Sequence, residues 1–102
     1  MESFGEYIRR LRVERKLQLR KLAAHLDIDQ STLSKIERNE RQPTRDMVPG
    51  LAQIFDLDER ELVIKFLSGK ITYELSGETL GLEALKVAEL QIGYHKKNFV
   101  GR

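Results

Sequence analysis

The stretch from Gln18 to Asn39, QLRKLAAHLDIDQSTLSKIERN, contains two short segments with helical spacing of apolar residues, one on each side of a tight connection. The residues that set this spacing are Leu22, Ala23 and Leu26 in the first segment and Leu33 and Ile36 in the second. Each segment therefore has one apolar face about three residues wide. We expect the rest of the chain to be organised around this pair of helices.

The second of these helices has a polar face. Asp29 occupies the N-cap position, where its carboxylate can accept from the first free backbone N–H groups. At about 100° per residue, five polar residues fall within one arc of the helix. They are Gln30, Ser31, Ser34, Lys35 and Arg38. Such side chains can read base edges or phosphates of DNA, but a solvated helix surface has the same composition. The helix alone favours both interpretations equally.

Length and composition limit the classes of protein to consider. The 102 residues suffice for one small domain with an appendage and a modest core. No cysteine is present, which excludes disulfides, thiolate zinc sites and a cysteine nucleophile. No apolar run approaches the roughly 18 residues of a membrane span, and the N-terminus lacks the apolar segment of a secretory signal. We therefore expect a cytoplasmic protein without a membrane segment.

The net charge of +2 is unevenly distributed along the chain. Residues 1–45 hold eleven Lys and Arg against seven Asp and Glu, a net of +4, whereas residues 46–102 hold seven against nine, a net of −2. A basic N-terminal half suits contact with phosphates. The difference is small, so it supports nucleic-acid binding without establishing it.

Helical periodicity extends on both sides of the central pair. The predicted helices span about 4–16, 19–26, 30–38 and 45–55, with a fifth that begins after Asp58. Ser3 and Glu6 predict a capping box for the first helix, and Asn39 predicts a left-handed end for the third. Pro49 is tolerable only in a first turn, so regular helix four should begin near Asp46 or Met47.

The C-terminal third is harder to interpret from its pattern. Residues 71–75, ITYEL, alternate as in a strand, but a lone strand in a helical chain has no partner strand, so we expect helix. A last helix should begin at Glu78 or Thr79 and end near Tyr94, and it is apolar over more than one face. The basic tail from His95 to Arg102 should be frayed.

The run LAAHLDIDQSTLSKIERNERQPT, together with five helices in this order, resembles the lambda-repressor-like DNA-binding domains, in particular the Xre family of bacterial regulators. The resemblance covers about residues 4–67. It implies an all-α fold with five helices, in which helices two and three form a helix-turn-helix and helix three enters the DNA major groove. We expect a DNA-binding domain over residues 1–68 and a helical extension with a basic tail over residues 69–102.

The resemblance also implies roles for individual residues. The base-contacting positions of the family fall on Gln30, Ser31, Ser34 and Lys35. The phosphate-contacting positions fall on Arg38, Arg41, Thr44 and Arg45. Members often have Ser or Thr followed by Gln at the start of helix two, where this chain has Gln18 and Leu19. Leu19 cannot contact phosphate as that Gln does, so Gln18 or Arg20 would substitute for it. Arg12 and Glu37 match a buried ion pair between helices one and three in some members.

One short reading helix makes too few contacts for strong selectivity, so we expect a homodimer that binds a short palindrome in double-stranded DNA. The apolar C-terminal segment suits dimerisation. A dimer formed through it would place the two copies of helix three about 34 Å apart. The residues predicted to contribute are Leu75, Leu80, Leu82, Leu85, Ala88 and Ile92. The alternative is that this segment folds back on its own chain. Bound to its operator, the dimer would repress or assist transcription according to the position of the site.

Other functions have weaker support in the sequence. No cofactor, metal site or catalytic constellation is expected, because His25 and His95 lack suitably spaced ligands and the paired acids Asp27 with Asp29 and Glu59 with Glu61 lie at helix starts. An antitoxin or adaptor whose C-terminal segment binds a partner protein is an alternative, as is a restriction-modification controller.

Overall fold

The structure, a computed structural model, describes residues 1–99. These residues form six α-helices and no β-strand, which confirms the all-α prediction. The helices are α1 (Phe4–Glu14), α2 (Leu19–His25), α3 (Gln30–Glu37), α4 (Met47–Phe55), α5 (Glu59–Leu75) and α6 (Gly81–Phe99). No helix within the described residues combines the length and hydropathy that crossing a bilayer requires.

Local sequence signals determine where three helices begin. Ser3 donates its backbone N–H to Glu6 Oε1 over 2.9 Å, and Glu6 donates its own N–H to Ser3 Oγ over 3.1 Å, so the predicted capping box is confirmed. Asp58 accepts from the Glu61 N–H over 3.2 Å at the start of α5. Helix α4 begins at Met47, which leaves Pro49 in the first turn, where its missing N–H is not needed.

Each of the first four helices is followed, one or two positions after its last residue, by a non-glycine residue with a left-handed backbone. These residues are Lys16, Asp27, Asn39 and Asp56, with φ between 54° and 62°. After α3, Asn39 N–H donates to Ile36 O over 3.1 Å and Glu40 N–H to Lys35 O over 2.8 Å, which is a Schellman motif. The predicted left-handed Asn39 is confirmed. The first helix ends at Glu14, before the predicted Lys16, because Lys16 has left the helical conformation.

The core of the first part of the chain draws on α1 to α5. Its buried residues are Phe4, Ile8, Leu22, Ala23, Leu33, Ile36, Met47, Val48, Leu51, Ala52, Phe55, Leu62 and Phe66. The rings of Phe4 and Phe66 meet edge to face with centroids 5.6 Å apart, which joins α1 to α5. Both α1 and α2 pack against α3. One side of α3 is therefore held in the core, and its opposite side remains at the surface.

The chain divides into two compact units, Met1–Lys70 and a second unit that begins at Ile71. Residues 71–75 are helical as expected, and the strand alternative is wrong. Helix α6 begins at Gly81, after turns that include a bond from Gly81 N–H to Glu78 O, and so starts later than predicted.

Residues 95–99, predicted to be frayed, continue α6. No glycine or proline interrupts residues 94–99, and basic residues near a helix C-terminus are favourable. The rest of the predicted tail, residues 100–102, lies outside the described residues.

Candidate nucleic-acid interface

The connection between α2 and α3 is a tight turn centred on Asp27. Asp27 N–H donates to Ala24 O over 3.1 Å, and Ile28 N–H donates to Ala23 O over 3.0 Å. Ile28 is half-buried and packs against the core, so the turn is fixed at both its backbone and its side chain. The sharp change of direction sets α3 across α2 with its apolar face inward.

Helix α3 has one buried and one exposed side. Leu33, Ile36 and Glu37 are buried. Among the residues predicted to contact bases, Gln30, Ser31 and Lys35 are exposed, whereas Ser34 is half-buried at the edge of the exposed face. Arg38 is also exposed, immediately after the helix. The side chains that could donate to or accept from base edges therefore share the solvent-facing side of a helix fixed in the core.

Asp29 does not cap α3 with its side chain, so this prediction is wrong. Its backbone has the extended N-cap conformation, but no hydrogen bond joins its carboxylate to the helix N–H groups. The residue contributes its carbonyl oxygen instead, which accepts from Leu33 N–H over 3.0 Å. Asp29 lines a cleft of about 420 Å³ together with Ala24, Asp27, Ile28, Thr32 and Arg41. Asp27 is not a helix cap either, because it occupies the left-handed turn position.

The start of α2 is where the sequence departs from the family pattern. Leu19 is half-buried and packs against the core, so it contributes apolar contacts there. Gln18 is the N-cap residue, is exposed and makes no side-chain capping bond. Arg20 is exposed on the first turn of α2. Gln18 and Arg20 are thus the polar groups at the surface on this end of the helix.

The segment between α3 and α4 supplies further polar side chains, two of them cationic. Arg41, Thr44 and Arg45 are exposed. Backbone bonds anchor the end of the segment, because Thr44 O accepts from Met47 N–H and Arg45 O accepts from Val48 N–H, each over 3.1 Å. Three of the residues predicted to contact phosphate therefore lie on a short segment tied to the start of α4.

Arg38 is engaged within the chain. Its Nε lies 3.0 Å from Glu40 Oε2, in an ion pair whose two side chains are both more than half exposed. Sequence reasoning did not assign a role to Glu40. The spacing of Glu40 two residues after Arg38 is the sequence signal that could have suggested an ion pair between them. The pair places a negative charge beside a cation proposed to meet DNA, so it should lower the net attraction of this surface for phosphate.

An ion pair connects α1 to the inner side of α3. Arg12 Nε donates to Glu37 Oε2 over 2.8 Å, and Nη2 donates to Oε1 over 2.9 Å. The remaining guanidinium nitrogen donates to Leu17 O over 3.0 Å. Only 4% of the Glu37 side chain is exposed. This bidentate pair satisfies the buried Glu37 carboxylate and the half-buried Arg12 guanidinium, and together with Leu33 and Ile36 it holds the inner side of α3 in the core.

The residues predicted for dimerisation lie in the second unit. Four of them, Leu75, Leu85, Ala88 and Ile92, line an apolar groove of about 490 Å³. Leu80 and Leu82 are 69% and 73% exposed. The predicted set omits a second row of apolar residues on α6, formed by Val87, Leu90 and Tyr94. Their spacing of three and four residues is visible in the sequence and could have identified them.

The described residues offer no metal centre. Within residues 1–99, no three side chains of His, Cys, Asp or Glu are close enough together to hold a metal ion. His25 is exposed at the end of α2. The polar surface of α3 is consequently the chemically distinctive feature of the first unit.

Comparison with known proteins agrees with this geometry. No curated protein matches the chain significantly. Among solved structures, the fold is similar to the crystal structure of the clp gene regulator ClgR from Corynebacterium glutamicum, with a TM-score of 0.54 and 17% identity over 99% of this chain and 94% of that chain. A family model described as a helix-turn-helix domain matches residues 5–65. The chain therefore belongs to the helix-turn-helix family, as its resemblance to the Xre-like DNA-binding regulators predicts.

Proposed function

We propose that the protein is a homodimeric transcription regulator of the cytoplasm that binds a short palindromic operator with α3 in the major groove. The observation that carries this proposal is the division of α3 into two sides. Leu33, Ile36 and the Arg12–Glu37 pair hold its inner side, while Gln30, Ser31 and Lys35 remain exposed on the outer side. A helix with its polar side chains presented in a fixed rotation can place them against base edges.

Individual roles follow from the chemistry of each side chain. Gln30 can bond adenine with both ends of its amide, and Lys35 can donate to guanine O6 and N7. Ser31 and Ser34 can donate to or accept from several bases. Arg20, Arg38, Arg41, Thr44 and Arg45 carry groups suited to phosphate oxygens, with Gln18 as a further donor at the start of α2. Phosphate contacts would position the helix, and base contacts would select the sequence.

The dimer is supported by the apolar surface of the second unit. Nine large apolar side chains between residues 71 and 96 are exposed. Together they expose on the order of 1,000 Å² of surface, comparable with the roughly 800 Å² that each partner contributes to a standard interface. Monomeric soluble proteins rarely expose contiguous apolar patches larger than a few hundred Å². A dimer would cover part of this surface and would supply two copies of α3 for two half-sites.

The central test is binding of fluorescent duplexes by the full-length protein. A pool of random duplexes first yields the preferred sequence. We expect affinity to fall steeply as salt rises from 50 to 200 mM, because phosphate contacts release counterions. A weak salt dependence, or no enrichment of any sequence, would contradict the proposal.

Two substitutions separate the proposed kinds of contact. Lys35→Ala should relax base preference at one position in each half-site by about 1–3 kcal/mol and affect random DNA much less. Arg41→Ala should weaken binding to all sequences alike and reduce the salt dependence. Arg60→Ala, at an exposed position early in α5, is a matched control for loss of one arginine. Equal losses on selected and random DNA for Lys35→Ala would rule out its assigned role.

The exposed apolar surface also suits the second candidate, an adaptor or antitoxin that binds a different protein. The oligomeric state of the purified protein separates the two. A dimer at low micromolar concentration favours the regulator, whereas a monomer that still binds DNA would favour a partner protein on the C-terminal unit. Sedimentation velocity makes this measurement directly.

A further inference from the structure

Helix α6 has two apolar rows on opposite sides. The first row contains Leu85, Ala88 and Ile92, and the second contains Val87, Leu90 and Tyr94. Within each row the residues are spaced by three and four positions, as at the seam of a coiled coil. At about 100° per residue, the centres of the two rows are roughly 160° apart around the helix. One partner helix therefore cannot cover both rows.

The first row lies toward the end of α5 in the same chain. Leu85 and Ala88 line the apolar groove together with Ile71 and Leu75, and Ala88 and Leu75 are half-buried. Gly81, at the start of α6, is buried, and a Cβ there would be 3.3 Å from Leu75 O. The first row therefore faces the last turn of α5 across the groove.

The groove is poorly suited to a two-fold contact. Glu74 and Glu89 both line it. A second copy related by a two-fold axis at the groove would bring four carboxylates together at one interface. Like charges brought together in this way disfavour association. A homodimer contact should therefore be sought on the other side of α6.

The second row lies on that side of α6. Val87, Leu90 and Tyr94 are 54%, 73% and 65% exposed. We infer that the second row is the contact between the two copies, with α6 packed antiparallel against the partner's α6 about a two-fold axis at Leu90. The inference rests on the proposed function, since it assigns the interface of the proposed homodimer.

The row is complementary to itself in this arrangement. Positions whose numbers add to 180 face each other, so Val87 lies opposite the partner's Gly93. A Cβ built at Gly93 would have nothing within 4 Å, which leaves space for the Val87 side chain of the other copy. Lys86 lies opposite the partner's Tyr94, where its ammonium can meet the ring face. The two copies of Glu83 would be about 21 Å apart, too far to repel strongly at physiological salt.

The first test is sedimentation equilibrium of the full-length protein and two matched variants. Leu90→Lys places a charge on the proposed axis, and Ile92→Lys places the same charge on the first row, at a residue 66% exposed. We expect Leu90→Lys to raise the dimer dissociation constant at least about 100-fold and Ile92→Lys to change it less than about 3-fold. Circular dichroism should show unchanged helix content in both, because both side chains are exposed.

A second test uses the absence of cysteine from the chain. Antiparallel helices packed at the usual 8–10 Å bring residues on a shared axis within the Cα separation of a disulfide. Leu90→Cys should therefore form a covalent dimer under mild oxidation at low protein concentration. Ile92→Cys should remain largely monomeric on a denaturing gel.

The outcomes distinguish this inference from the proposed function. A Leu90→Lys protein that dimerises like the wild type would overturn the inference. If Ile92→Lys were then monomeric, the homodimer would stand and its contact would lie at the groove. A wild-type protein that is monomeric at every concentration would instead contradict the proposed homodimer itself.

Discussion

Gly5 of α1 lies directly against the carbonyl oxygen of Ile36 in α3, so closely that a Cβ at position 5 would overlap that oxygen. The contact is with backbone, which cannot rotate away as a side chain can. We expect Gly5→Ala to force the two helices apart and to lower the free energy of unfolding by about 3 kcal/mol. Urea denaturation measures the change. Gly69→Ala is the control, because a Cβ there makes an ordinary 3.7 Å contact and should be neutral or stabilising.

Replacing one member of the Arg12–Glu37 pair should lower the free energy of unfolding strongly, whereas replacing both members should lower it little. Either Arg12→Met or Glu37→Leu alone leaves an uncompensated charge in a mostly buried site and should lower the free energy of unfolding by about 3–5 kcal/mol. The double variant removes both charges and should recover most of that loss. Additive losses in denaturation of the three variants would contradict this account.

Lys16 offers a stabilising substitution. Its left-handed backbone, at φ 54°, is unfavourable for a residue with a Cβ and costs glycine little. We expect Lys16→Gly to raise the free energy of unfolding by about 1 kcal/mol. Lys16→Ala, which removes the same charge but keeps the Cβ, should give no such gain in the same thermal or urea measurement.

Removing the carboxylate of Glu40 should strengthen DNA binding. Glu40 holds Arg38 in an exposed ion pair, and its charge opposes the approach of phosphate. We expect Glu40→Gln to raise affinity for random duplex DNA about 2- to 5-fold at low salt, with a smaller gain at high salt. Glu78→Gln, exposed before α6, is the control for loss of one acid. An unchanged or weaker affinity for Glu40→Gln would mean that the pair positions Arg38 usefully.

The start of α1 should respond to acid. The pKa of Glu6 is lowered below its ordinary value, chiefly by the hydrogen bond that its carboxylate accepts from the Ser3 backbone N–H. The Ser3 hydroxyl group is the next largest cause. Because the folded pKa is depressed, the contribution to stability is present above the unfolded pKa and is lost as pH falls through the folded one. NMR titration should find Glu6 ionised to lower pH than a free glutamate. In Ser3→Ala, the loss of the hydroxyl should move the pKa upward, and no movement would contradict the capping account.

Local patterns in the sequence were sufficient for much of the fold. The apolar spacing of Leu22, Leu33 and Ile36 identified buried faces, and Ser3, Asn39 and Asp58 marked helix ends where the structure has them. These helix ends and buried faces depend on residues within about four positions of each other, so the local sequence is enough to predict them. The polar face of α3 follows from the same periodicity, once its opposite side is known to be buried.

Tertiary structure decided the features that depend on residues distant in sequence. The close approach of Gly5 to Ile36, and the cleft that Asp29 and Arg41 line together, depend on how separate segments meet. The sequence by itself determined that α6 is apolar on more than one side. Only the folded structure showed that the first row faces Leu75 across a groove, whereas the side around Leu90 is exposed. The physical reason is that helical periodicity is set by the backbone over a few residues, whereas the choice of packing partner depends on the arrangement of the folded chain.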